Sequence, residues 1–209
     1  MRLVIAKKPL RRILRWTQLI LFACGVSLLA YCAFVLVDAW SFQNGARRQL
    51  EQMRADRQEA SGAVRTASSA SPANSPPAVS GGLIGRMDIP RLGLSAIVIE
   101  GTSAKTLRRA VGHISGTALP GQPGNVGISG HRDTFFRPLR NIRRNDIVTL
   151  TTLSGEYRYR VVSTKIVGPD SIAELDPSRD EILTLITCYP FYFVGPAPKR
   201  FIVRAVAEP

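Results

Sequence analysis

From Thr17 to Val37 the chain runs for 21 residues without a charged side chain. A helix of that length reaches about 30 Å, the apolar thickness of a bilayer. Arg2, Lys7, Lys8, Arg11, Arg12 and Arg15 precede the run with no acid among them, and Asp38 follows it. Basic residues on one flank orient a spanning helix with that flank in the cytoplasm. Residues 1–16 are therefore expected as a cytoplasmic tail, 17–37 as a membrane span, and everything from 38 on as extracytoplasmic. Trp16 and Trp40 bracket the run as interfacial anchors would. A cleaved signal peptide is the competing reading. The run is longer than a signal core, and no small-x-small cleavage site follows it. An uncleaved, single-pass signal-anchor is expected.

The net charge of +13 is unevenly spread. Six basic residues lie in the tail, and Arg47, Arg48, Arg54, Arg57 and Arg65 lie just beyond the apolar run. From Leu83 onward there are 17 basic and 11 acidic residues, a balance of +6. A nucleic-acid binder would show clustered basic residues within a binding motif, and no such motif is present. A lipid bilayer or an anionic envelope surface accounts for the charge.

Cys24 and Cys32 sit inside the apolar run and read as small apolar residues. Cys188 is then the only thiol in the exported region. It has no disulfide partner there, and no multi-cysteine zinc site is available. With only two histidines, no metal centre is expected.

Residues 38–82 read as stalk and linker. Ser41–Ala60 is rich in Arg, Gln and Glu and can extend the membrane helix outward. Ser61–Gly82 is Ser, Ala, Pro and Gly by composition, hence flexible. Residues 83–209 form the folded domain. Leu83–Ile89 and Leu94–Glu100 read as strands around a Pro-Arg-Leu-Gly turn, and Thr106–His113 as a short helix. Val126–Ser129 reads as a strand ending at Gly130-His131, and Phe135–Ile142 as a helical turn. Asp146–Leu153 and Glu156–Val167 form a hairpin. Gly168–Asp180 is an acidic loop with room for a short helix, and Ile182–Thr187 and Phe201–Val206 close the set of strands. Many short strands in one small domain predict a mainly β fold, a closed or partly closed barrel.

Thr184-Leu185-Ile186-Thr187-Cys188-Tyr189-Pro190 places the lone thiol where an apolar strand opens into a loop. Such a position gives a thiolate access to substrate. A buried, inert cysteine is an equally common outcome for the residue taken alone. His131 can deprotonate a nucleophile and protonate a leaving amine. His113, also beside glycines, is its control, and composition does not rank the two. Arg200 can stabilise charge developing on a carbonyl oxygen. A solvated strand face is the plain alternative for it. Together the three supply the parts of a cysteine acyl-transfer site.

Gly82–Pro209 resembles the sortases, cysteine transpeptidases of the bacterial envelope. Thr184-Leu185-Ile186-Thr187-Cys188 matches the Thr-Leu-x-Thr-Cys block without gaps, and Gly130-His131 and Arg200-Phe201-Ile202-Val203 match two further blocks in order. Gly130-His131-Arg132-Asp133-Thr134-Phe135-Phe136 and the stretch from Cys188 to Phe201 are most similar to class D. The resemblance implies an eight-stranded sortase β-barrel with short helices behind an N-terminal transmembrane helix. It implies Cys188 as nucleophile, His131 as general acid/base and Arg200 as stabiliser of oxyanion or substrate. Thr187 becomes a candidate donor to the substrate backbone. His113 receives no direct role. Asp133 is read as capping the following turn rather than orienting His131.

The implied substrates are secreted proteins with a C-terminal sorting signal like Leu-Pro-x-Thr-(Gly/Ala). The implied acceptor is the amine of a peptidoglycan precursor or a pilin lysine. The location implied is the cytoplasmic membrane of a bacterium, catalytic domain outside. No cofactor is required. Some sortases bind calcium, and Glu174, Asp176, Asp180 and Glu181 could contribute ligands, although an acidic solvated loop is the commoner outcome. Rival readings are a papain-like protease, which reverses the Cys–His order, an L,D-transpeptidase, whose nucleophile block differs, and a non-catalytic membrane-anchored adaptor.

Overall fold

The computed structural model describes residues 7–64, 82–193 and 195–208. Most of the linker expected over Ser61–Gly82 lies outside the described residues. The chain divides into two compact units, 1–41 and 42–209. The first holds the beginning of helix α1 (Lys7–Val64), which is long and apolar enough to cross a membrane.

The second unit is built on eight strands: β1 (Leu83–Ile89), β2 (Leu94–Glu100), β3 (Val111–His113), β4 (Asn125–Ser129), β5 (Ile147–Thr152), β6 (Glu156–Val167), β7 (Ile182–Tyr189) and β8 (Lys199–Ala207). They close one barrel in the order β1-β2-β3-β4-β7-β8-β6-β5. The pairs β2–β3 and β4–β7 are parallel and the others antiparallel. Alternation along each strand sends every second residue inward. Val126, Ile128, Leu183, Leu185, Val203 and Ala205 point into the core, with Met87, Phe136, Leu150 and Tyr159. The opposite parity of β4, β7 and β8 is left on the outer face.

The helix expected over Thr106–His113 is shorter and earlier. Helix α2 (Ala104–Arg109) starts at Ser103, whose hydroxyl accepts the Thr106 N–H, the usual service of a serine N-cap. It stops because Ala110 turns extended and the next three residues pair as β3. Gly112 lies so close to β2's exit that a Cβ there would sit 2.4 Å from the Gly101 carbonyl oxygen. Only glycine fits that approach.

The compact unit begins at Phe42, well before Leu83. Gln43, Ala46 and Leu50 of α1 are buried, and the latter two pack with Leu83, Ile97 and Ala110 in a second apolar cluster. The Gln43 amide donates to the Arg109 carbonyl at 2.7 Å and accepts from the Ile97 N–H at 2.9 Å. Arg47 donates to the Ser95 hydroxyl at 3.0 Å. The residues read from sequence as a polar stalk thus include a stripe at 43, 46, 50 and 53, the i, i+3, i+7, i+10 spacing of one helix face. Leu50→Ala should lower the stability of the barrel unit by about 2–4 kcal/mol. Thermal unfolding of the full chain in detergent would register it, with the exposed neighbour Gln52→Ala as control. Equal melting temperatures for both variants would refute the docking.

At the opposite rim, Asp146 is buried and holds Arg91 through both carboxylate oxygens while accepting the Arg143 N–H at 2.7 Å. The Arg91 hydrogen bonds, then the Arg143 contacts, keep its carboxyl below the usual carboxylate range. This network secures the turn entering β5.

Candidate active site

The row that carries the candidate chemistry follows from strand register. Strand β4 runs parallel to β7 with Ile128 beside Leu185 and Ser129 beside Ile186. The pairing continues past β4's end, since the Gly130 N–H donates to the Ile186 carbonyl at 3.2 Å. Carried past the end of β4, that register would bring His131 alongside Cys188. On the other side of β7, Cys188 is the direct antiparallel partner of Arg200. Neighbouring strands lie about 4.8 Å apart, so Cys188 and Arg200 sit side by side on β7 and β8, and His131 follows two residues after the end of the adjacent strand β4. Their parity is that of the outer face. Cys188 and His131 are both part-exposed, and among the described residues neither side chain makes a hydrogen bond.

Gly130 has a steric reason to be glycine. A Cβ there would lie 2.9 Å from the ring of Phe136, which is fully buried. The backbone before His131 therefore rests directly on an aromatic plug, and the turn after it is held by the Phe136 N–H bonding the His131 carbonyl at 3.1 Å.

Thr187 is placed otherwise than as a substrate donor. It is 2 % exposed, and its hydroxyl donates to the Gly130 carbonyl at 2.8 Å. Its one hydroxyl proton is engaged inside the protein, tying the strand before Cys188 to the turn before His131. Arg200 donates to the carbonyls of Ala197 at 3.3 Å and Lys199 at 3.1 Å. These are contacts to its own loop, from which the guanidinium can be redirected.

His113 lies on β3, away from the row, and is 2 % exposed. Its Nδ1 is 2.6 Å from Glu100 Oε2, and its Nε2 is 2.9 Å from the Ala118 carbonyl oxygen. It braces the turn after β3. Asp133 is exposed and makes no hydrogen bond to His131 or to the turn that follows among the described residues.

The acidic loop between β6 and β7, which contains a 3-10 turn over Ile172–Leu175, lies against the first residues of β4. Asn125 fastens it: the side-chain amide donates to the Glu174 carbonyl at 3.0 Å and accepts from the Thr184 hydroxyl at 2.7 Å. Leu175 closes over Gly127, where a Cβ would come within 2.9 Å of it. Of the four loop acids, Glu174 pairs with Lys165 at 3.1 Å. Among the described residues, no three acidic, histidine or cysteine side chains gather as a metal ion would need.

Sequence reasoning did not single out Asn125 or Arg132. Asn125 had a local signal, a lone polar residue where a Pro-Gly loop enters an apolar strand. Arg132 donates through Nη1 to the Pro190 carbonyl at 2.9 Å and through Nη2 to those of Phe193 at 2.7 Å and Gly195 at 3.1 Å. Those partners are 58 to 63 residues away in the chain, so no local pattern announces them.

The closed mixed barrel has a class that the comparisons with known proteins identify. The sortase-domain family matches residues 87–208. Sortase D of Bacillus subtilis (strain 168) is 34 % identical over 187 residues, covering 88 % of this chain and 94 % of that protein. The structure of a Clostridium perfringens sortase D5 transpeptidase superposes with a TM-score of 0.65 at 22 % identity, covering 81 % of this chain and 99 % of that one, a likeness of fold. Sortase C from Clostridium perfringens SM101 is 30 % identical with a TM-score of 0.55, over 62 % of this chain and 71 % of that one. The chain belongs to the sortase family, a family of transpeptidases. The class D resemblance carried by the motif blocks agrees with the first of these relatives.

Proposed function

We propose that this protein is a membrane-anchored cysteine transpeptidase that joins sorting-signal proteins to an envelope amine. The observation that carries the reading is the direct cross-strand pairing of Cys188 with Arg200, next to the strand β4 whose exit leads to His131. The Cys188 thiolate attacks the carbonyl carbon of the threonine in a Leu-Pro-x-Thr-(Gly/Ala)-like signal, forming a C–S bond. Arg200 donates to the oxyanion of the tetrahedral intermediate. His131, as imidazolium, gives its proton to the departing amine as the C–N bond breaks. The incoming amine then attacks the thioester and passes a proton to His131. A new C–N bond forms, and Cys188 leaves as thiolate. The acceptor we assign is a peptidoglycan-precursor amine, which the class D likeness favours over a pilin lysine.

The apolar run Thr17–Val37 supports anchoring in the bacterial cytoplasmic membrane with the barrel outside. Substrates held in the same bilayer by their own tails would meet the enzyme at a raised effective concentration.

The test is intact-mass spectrometry of the full chain in detergent with a library of sorting-signal peptides. A covalent adduct ending at threonine and released by hydroxylamine as the hydroxamate is the expected result. A folded protein whose Cys188 is alkylated by iodoacetamide, yet which forms no adduct with any peptide, would defeat the proposal.

A further inference from the structure

The loop between β7 and β8 joins Cys188 to Arg200, each one residue inside its strand end. Among the described residues no backbone–backbone hydrogen bond closes this loop between Tyr189 and Lys199. Among the described residues, the hydrogen bonds that hold it come from side chains. From below, Tyr189, Phe191 and Phe201 form an aromatic triad, with ring centroids 5.3 to 6.4 Å apart. From the side, Arg132 supplies three hydrogen bonds to loop carbonyls, and its guanidinium carbon lies 5.8 Å from the Phe193 ring centre. The triad fixes the loop's two roots, and Arg132 fixes the span between them.

Arg132 is also the residue next to His131. One end of its side chain grips the segment leaving Cys188, and its backbone continues directly from the imidazole-bearing residue. The same loop carries the Ala197 carbonyl on which Arg200 rests. All three candidate catalytic positions therefore share one mechanical reference.

We propose that Arg132 is a positioning residue that sets the spacing of His131, Cys188 and Arg200 by holding the β7–β8 loop. The inference rests on the transpeptidase reading of those three residues. A guanidinium fork is suited to the task, because its separate N–H groups reach carbonyls in different directions. A lysine keeps the charge and loses that geometry. A displacement of about 1 Å in a reacting group can cost roughly 100-fold in rate, so the loss should fall on kcat rather than on KM.

The experiment compares the full chain in detergent as wild type, Arg132→Lys and Arg132→Gln. Backbone NMR order parameters at Phe191–Phe193, Gly195 and Ala197 are measured beside single-turnover acylation and thermal unfolding. For Arg132→Lys the expected result is lowered order parameters confined to this loop and an acylation rate constant lowered about 10- to 100-fold. KM should stay within about 2-fold and the melting temperature should be unchanged.

Wild-type order parameters and rate in Arg132→Lys would overturn the proposal. So would a rise in KM at constant kcat, which marks a substrate-binding residue. A rate loss that tracks a fall in melting temperature would reduce Arg132 to a stability element and also refute it. A wild-type enzyme that forms no adduct would instead sink the transpeptidase reading, and the loop order parameters alone would then decide whether Arg132 holds the loop.

Discussion

Cys188→Ala and His131→Ala should each abolish peptide transfer, and the double variant should be no worse than either alone. In a nucleophile–base pair that acts as a unit, removing one member removes most of what the pair does. A fall on the order of 10⁴-fold or more is expected for each variant, with the two floors within about 10-fold of one another. Single-turnover cleavage of a sorting-signal peptide by the full chain in detergent gives the rates. Alkylation of Cys188 in the His131→Ala variant shows that the thiol remains accessible, and an unchanged melting temperature shows that the barrel is intact. A His131→Ala loss of only a few-fold would mean that another group moves the protons. Nothing else in the row could do so, since His113 is enclosed on β3 between Glu100 and Ala118.

Much of this site was legible because its members obey strand rules. Alternation in Glu156–Val167 and the Pro-Arg-Leu-Gly turn after Ile89 announced their strands, and both strand ranges agree with the sequence reading. Cys188 was read as lying past the end of its strand, whereas β7 continues through Tyr189. That continuation is what sets Cys188 opposite Arg200. The strand β3 was unreadable: three residues with glycine at the centre carry no periodicity, and the preceding Thr-Leu-Arg-Arg favours helix. The docked face of α1 was present in the spacing of Gln43, Ala46, Leu50 and Met53. It was masked because its first member is an amide and its neighbours are arginines, so the segment resembled a solvated stalk. Burial of Gln43 becomes acceptable only through partners contributed by Arg109 and Ile97, and such long-range partners leave no trace in a local window. The same holds for Thr187, whose proton goes to Gly130, and for Arg132.

Arg200→Lys should lower the acylation rate by roughly 100- to 1,000-fold while leaving KM nearly unchanged. The magnitude is that of removing one oxyanion donor. The direction follows from geometry: Cys188 and Arg200 are direct cross-strand partners on one face, and such pairs have Cβ atoms about 5 Å apart. From there a guanidinium reaches over the thiol to the oxygen of a carbonyl under attack. Lysine offers one compact ammonium, and it cannot keep the planar fork's alignment.

Arg204 is the internal control. It shares strand, face and charge with Arg200, yet its cross-strand partner is Thr184. Four residues of extended chain put it about 13 Å along the strand, too far to touch the reacting carbonyl. Arg204→Lys should therefore cost less than about 3-fold in the same assay if only direct contact with the oxyanion matters. A comparable loss from both variants would show that general positive charge on β8, and not a donor aimed at the oxyanion, is what the reaction uses. A KM increase confined to Arg200→Lys would move that side chain from transition-state stabilisation to ground-state binding of the substrate.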